Sequence, residues 1–188
     1  MKLGFFTMPL HPVGRDWRRT LAEDREAILF AEDLGYEEAF IGEHVTDLAE
    51  TITSCLIFIA TLARDTTRIK LGSGTVNLAN RHPAATAAEI AMVDTLLEGR
   101  FILGVGPGGL RSDAEMMDTL DADRTAMFVE SIDKRFNCAV HANFFDSPVN
   151  AYTTDCLIDL RHRSTPAKAK GRDLLEGGGP KNIKSCPC

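Results

Sequence analysis

The chain has 188 residues, 44% hydrophobic and 26% charged, which is enough to bury one sizeable core and is unlike a fibre or a disordered segment. A formal charge of −6 with no evident basic face argues against nucleic acid as the partner. The longest apolar runs, such as Cys55 to Ala60, fall far short of the roughly 20 residues a membrane helix needs, and no signal-peptide pattern forms before Pro9 and His11, so the expected location is the cytoplasm.

The first element is a β-rich apolar run from Lys2 to Pro9. After a loop, Leu21, Ile28, Ala31 and Leu34 recur at helical spacing, and Gly35 closes that helix. Glu37 to His44 reads as a second strand, and Ser54 to Thr66 has the length and composition of a helix. Arg68 to Leu78 is a third strand containing two glycines. Pro83 to Leu97 is an alanine-rich helix, with Gly99 as its stop, and Arg100 to Gly106 is a fourth strand. Ser112 and Glu115 match a capping box, which predicts a helix from about Asp113; Val129, Ile132 and Phe136 continue the apolar periodicity. About 32 residues separate successive strands, the period of a βα repeat and of a parallel sheet, either open and doubly wound or closed into a barrel.

Beyond residue 136 the pattern changes. Residues 1–136 hold 14 Lys and Arg against 22 Asp and Glu, while residues 137–188 hold 7 against 5 together with four of the five cysteines. Cys138 to Phe145 has strand character, but the remainder is rich in Gly, Pro, Lys and Ser and shows no βα period. The sequence thus divides into a βα body and an irregular tail. The scattered histidines and the terminal Cys186 and Cys188 form no recognised metal-ligand pattern.

The stretch "FILGVGPGGLRSD", Phe101 to Asp113, fits the G-x-G-x-x-G spacing of a pyrophosphate loop. Two features oppose that reading. Pro107 has no N–H to offer a phosphate, and the helix signal comes after Gly109 rather than around it. The alternative is that glycines clear side chains from the C-terminal mouth of a barrel strand, where function concentrates in βα barrels.

The segments "MKLGFFTMPLHPVGRDW", "AEDLGYEEAFIGEHV", "TRIKLGSGTVNLANRHPAATAAEIAMVDTLLEGRFILGVGPGGLRSDAEMM" and "RTAMFVES", in this order, resemble the bacterial luciferase-like flavin-dependent monooxygenases, and most of all the limonene-monooxygenase-like branch. The resemblance covers residues 1–136. It implies a TIM (β/α)8 barrel of which this chain holds the first four βα units. It also implies reduced FMN supplied by a flavin reductase, and O2 used to oxygenate a small organic substrate. His44, in "GEH", falls on the family's histidine at the end of the second strand, and Asp113 on an aspartate near the luciferase site, although a helix cap would equally explain it. Met8, Glu43, Ser73, Gly74, Thr75 and Gly106 fall on the flavin-facing positions. His11 and His82 are substrate-pocket candidates, with a solvent position equally open to His82. Gly106 and Pro107 replace a reactive cysteine and a phosphate-binding arginine of the luciferases proper, which implies that phosphate is held elsewhere. Asp94, Gly99 and Arg100 match a structural element: a helix stop and an ion pair leading into the fourth strand.

The family's barrel is longer than this chain. Residues 137–188 are accordingly expected to be a divergent or frame-shifted tail, and the purified chain is expected not to retain flavin. Two other readings stay open: hydride transfer with the deazaflavin F420 on the same barrel, or a non-catalytic half-barrel that pairs with a second copy as a homo-oligomer.

Overall fold

The computed structural model describes residues 2–132 and the backbone of residues 150–153. The strand reading of Cys138 to Phe145, the last periodic position Phe136 and the four tail cysteines lie outside these residues. In chain order the elements are β1 (Gly4–Thr7), α1 (Trp17–Asp33), β2 (Glu38–Ile41), α2 (Cys55–Leu62), β3 (Lys70–Ser73), β4 (Val76–Asn77), a 3-10 turn at Leu78–Asn80, α3 (Pro83–Leu96), β5 (Phe101–Gly106), α4 (Arg111–Met116), α5 (Arg124–Glu130) and β6 (Asn150–Thr153). The sheet runs β1-β2-β3-β5-β4, with β6 on β5. Every pairing is parallel, from Gly4 opposite Glu38 to Val105 opposite Thr153.

Period-two alternation assigns each strand residue to a face. Ala39, Ile41, Leu71, Phe101, Leu103 and Val105 point toward the helices and are buried with Ile28 of α1, Leu56, Ile59 and Leu62 of α2, and Ile90 and Val93 of α3. The intervening positions form the other face. There a Cβ on Gly72 would stand 2.5 Å from Cδ1 of Phe40, and one on Gly74 would stand 3.0 Å from Cε2 of Phe6, so glycine lets these rings lie against the strand. Phe6 remains 59% exposed on this face.

The expected helix stops form: Gly35 and Gly99 adopt φ of +86° and +79°, a region that glycine enters without a Cβ clash. Two expectations are corrected. The third strand is split into β3 and β4. The capping box does not form, because α4 begins at Arg111 after Leu110; Ser112 Oγ instead hydrogen-bonds the Thr46 hydroxyl at 2.7 Å, and Glu115 takes Arg111 Nε at 2.9 Å. The Arg100 guanidinium donates to Thr66 Oγ1 and to the carbonyls of Ala63, Thr66 and Ile69, so it ties the α2–β3 connection to β5. The tail showed no βα period, yet four of its residues form β6, because β5 offers backbone N–H and C=O groups on that side.

Glu32 performs a similar task from α1. Its Oε1 accepts from the N–H groups of Thr67 (2.9 Å), Arg68 (2.5 Å) and Ile69 (3.0 Å), joining α1 to the segment that enters β3. Burial pushes its carboxyl up, but these three donors and the Arg68 guanidinium outweigh burial and hold it below the usual carboxylate range. A depressed folded value makes this contribution complete above the unfolded value of about 4.3 and lost as pH falls through the folded one. Urea denaturation should therefore show Glu32→Ala less stable by about 2 kcal/mol at pH 7. The gap between variant and parent should shrink below pH 4; a gap independent of pH would contradict this account.

Candidate functional site

The C-terminal ends of the first strands meet round a cleft of about 300 Å³. Met8, Glu43 and His44 line it from β1 and β2, Gly74, Thr75 and Asn77 from the split third strand, and residues 106–109 from the end of β5. The split is a bulge. Five residue steps separate Leu71 from Val76, but only four separate their partners Phe101 and Val105 on β5. The extra residue lies at the Gly74–Thr75 step, whose peptide bond is cis and which lines the cleft.

Ser73 and Gly104 lock the bulge in place. Ser73 Oγ donates to the Gly104 carbonyl at 2.8 Å and accepts from its N–H at 2.9 Å. A Cβ on Gly104 would fall 2.2 Å from the Ser73 carbonyl oxygen, so only glycine permits this approach of backbone to backbone. Ser73, expected at the flavin, is buried in this clamp and does not line the cleft.

Glu43 is 4% exposed and its carboxylate is fully engaged. Oε2 accepts from the Cys55 N–H at the start of α2 (3.0 Å) and pairs with Arg81 Nη2 (3.2 Å), while Oε1 accepts from the Asn77 N–H (3.1 Å). Burial, followed by the Glu43 charge, pushes the Cys55 thiol well above its usual range, so that cysteine stays protonated. Beside Glu43, His44 Nδ1 lies 2.5 Å from Glu50 Oε2, and Nε2 has no partner among the described residues.

Asp113 is 1% exposed. Its carboxylate accepts from Thr46 Oγ1 (2.6 Å), Thr46 N–H (2.9 Å) and Val45 N–H (3.3 Å), and the residue does not line the cleft. The cap reading is corrected, since Asp113 lies inside α4 and binds the backbone that follows His44. Neither pocket histidine reaches the cleft lining. His11 Nε2 is 2.9 Å from Asp24 Oδ1 of α1, whereas His82 is exposed at the N-cap of α3. Burial raises the Asp24 carboxyl and the His11 contact partly offsets it.

Sequence reasoning missed Glu50, Asn77 and Arg124. Arg124 Nη2 donates to the Pro107 carbonyl (2.9 Å) and Asn80 Oδ1 (2.8 Å), and Nη1 donates to Thr119 Oγ1 (2.6 Å). These three acceptors are neutral, and a part-buried cation thus stands behind the glycine-rich rim. Nothing in the local sequence marks it, because 17 residues separate it from Pro107.

The family model for luciferase-like monooxygenases matches residues 1–134. The chain belongs to this family. Among proteins of described activity, it is 38% identical over 176 residues to 4-hydroxyprotoasukamycin monooxygenase of Streptomyces nodosus subsp. asukaensis, covering 93% of this chain and 46% of that protein. It is 37% identical to limonene 1,2-monooxygenase of Rhodococcus erythropolis over 64% of this chain and 32% of that one. The fold is similar to the oxygenating constituent of 3,6-diketocamphane monooxygenase from Pseudomonas putida, a structure in complex with FMN, with TM-score 0.67 and 28% identity over 70% of this chain and 37% of that chain. The chain therefore spans less than half the length of these relatives, and its neighbours share a TIM-barrel fold.

The placement of Asp113 yields a direct expectation. Asp113→Ala leaves two N–H groups and a hydroxyl without their acceptor and should lower stability by about 2 kcal/mol in chemical denaturation. Gly109→Ala, with nothing within 4 Å of the added Cβ, should change it by less than about 0.5 kcal/mol. Equal effects of the two would be inconsistent with this geometry.

Proposed function

We propose that residues 1–136 supply the flavin-facing wall of a flavin-dependent monooxygenase that uses reduced FMN and O2 to oxygenate a small organic substrate. The observation that carries this reading is that much of the cleft wall is backbone: the Gly74–Thr75 bulge on one side and residues 106–109 on the other. Such a wall suits a flat heteroaromatic ring, because main-chain atoms can approach its face and edge without intervening side chains. A volume of about 300 Å³ is at the lower end of ligand pockets, which run from about 300 to 1,000 Å³, and matches a site that takes the ring and leaves the remainder of the cofactor outside. The FMN held by the Pseudomonas relative supports the choice of flavin.

When bound, the flavin supplies the oxygen chemistry. The chain's own residues bind, orient and handle protons. Met8 gives the cleft an apolar contact. Asn77 is held by its Nδ2 bond to the Glu43 carbonyl at 3.5 Å and by the Thr75 hydroxyl. His44, with Nδ1 on Glu50, has Nε2 available to accept a proton. Arg124 supplies positive charge at the rim for an anionic group, the task for which Pro107 has no donor. A boundary near residue 136 and a cytoplasmic location belong to the same proposal, as does a separate reductase.

Affinity is expected to be too low for flavin to survive purification and to become visible on titration. FMN should quench or shift its own fluorescence saturably, and should bind about tenfold tighter than riboflavin, which lacks the phosphate; Arg124→Ala should abolish that gap. Equal binding of FMN and riboflavin by the parent chain would remove Arg124 from the site, and no response to either would remove the flavin reading. Hydride transfer to or from F420 without oxygen consumption would replace it with the deazaflavin alternative.

A further inference from the structure

Residues 44–52 form a closed loop whose architecture serves one contact. Its ends are tied by the His44 N–H donating to the Ile52 carbonyl at 3.2 Å. Asp113 takes the N–H groups of Val45 and Thr46, and Asp47 Oδ1 accepts from the Ala49 N–H at 2.7 Å. From outside the loop, the His11 N–H donates to the Ala49 carbonyl at 2.8 Å, and Thr20 Oγ1 donates to Thr51 Oγ1 at 3.0 Å. These restraints turn the chain back on itself and bring Glu50 Oε2 to 2.5 Å from His44 Nδ1, with side chains only 12% and 21% exposed. The other ionised groups around the loop already have partners: Glu43 has Arg81, Asp113 has residues 45–46, and Asp24 has His11.

We propose that Glu50 is the positioning residue that fixes the tautomer of His44. A carboxylate accepts but cannot donate, so the neutral imidazole must carry its proton on Nδ1, which leaves the lone pair of Nε2 for the cleft. His44 is thereby set as a proton acceptor rather than a donor in its resting state. A proton taken at Nε2 produces an imidazolium that faces an ionised carboxylate, with Glu50 itself unchanged in protonation. The inference rests on the reading of this cleft as the reaction site, but the contact can be tested without any flavin.

Histidine-selective ¹⁵N correlation spectra of the full chain near neutral pH, with His44 assigned through its loss in His44→Gln, should show a protonated Nδ1 and a bare Nε2. Glu50→Gln should abolish this single-tautomer signature, because an amide can donate as well as accept. The His11 signals and the Val45 and Thr46 amides should stay in place, showing that the loop has not simply collapsed. A parent chain whose His44 carries its proton on Nε2, or populates both forms, overturns the proposal even if the variant fails to fold. An unchanged tautomer in Glu50→Gln also overturns it. A chain that shows the signature but never binds flavin leaves this assignment standing and removes only the functional reading.

Discussion

Every element that borders the cleft is joined, directly or through one neighbour, to the buried carboxylate of Glu43. Its two oxygens receive the first N–H of α2, the N–H of Asn77 in β4 and the guanidinium of Arg81, so they bring a helix start, a strand and a loop to a common point at the end of β2. A buried charge of this kind is tolerated only when its hydrogen-bonding capacity is met, and breaking such a pair by removing one partner costs about 3–5 kcal/mol. His44 is the next residue along. Its backbone position is therefore inherited from the network that Glu43 holds together.

The second constraint is the one-residue mismatch between β3–β4 and β5. In a regular parallel ladder the backbone of both strands would be consumed in pairing, and side chains would alternate into the space at the strand ends. The extra residue releases the Gly74–Thr75 peptide from the ladder and turns it to the cleft, while the Ser73–Gly104 clamp keeps the strands together below it. The site is thus a local departure from sheet geometry held by regular geometry beneath. Arg124 closes the same region from α5, which it reaches by donating to the Pro107 carbonyl.

The order of strands and helices through residue 130 was legible in the sequence, because apolar periodicity and glycine stops are local signals. Met8, Glu43, His44, Gly74, Thr75 and Gly106 could be placed at the cleft from the family resemblance and do line it. Ser73, Asp113, His11 and His82 could be named but not oriented. Each is a polar side chain whose partner comes from an element 13 to 68 residues away or, for His82, whose helix-start position points it to solvent. The capping box shows the limit clearly: Ser112 and Glu115 have the right spacing, yet Thr46 and Arg111 engage the two side chains instead.

By itself the sequence determined a repeating βα body and a glycine-rich end to its fourth strand, where Pro107 and the late helix start oppose a pyrophosphate loop. These follow from periodicity and from what glycine and proline do to the backbone they occupy. Only the tertiary structure decided that Glu43 is a fastening, that Asp113 holds the backbone after His44, that Glu50 faces the imidazole and that Arg124 stands behind Pro107. Hydrogen bonds between distant residues depend on where the sheet sets the strand ends, and no local pattern in the chain encodes that distance.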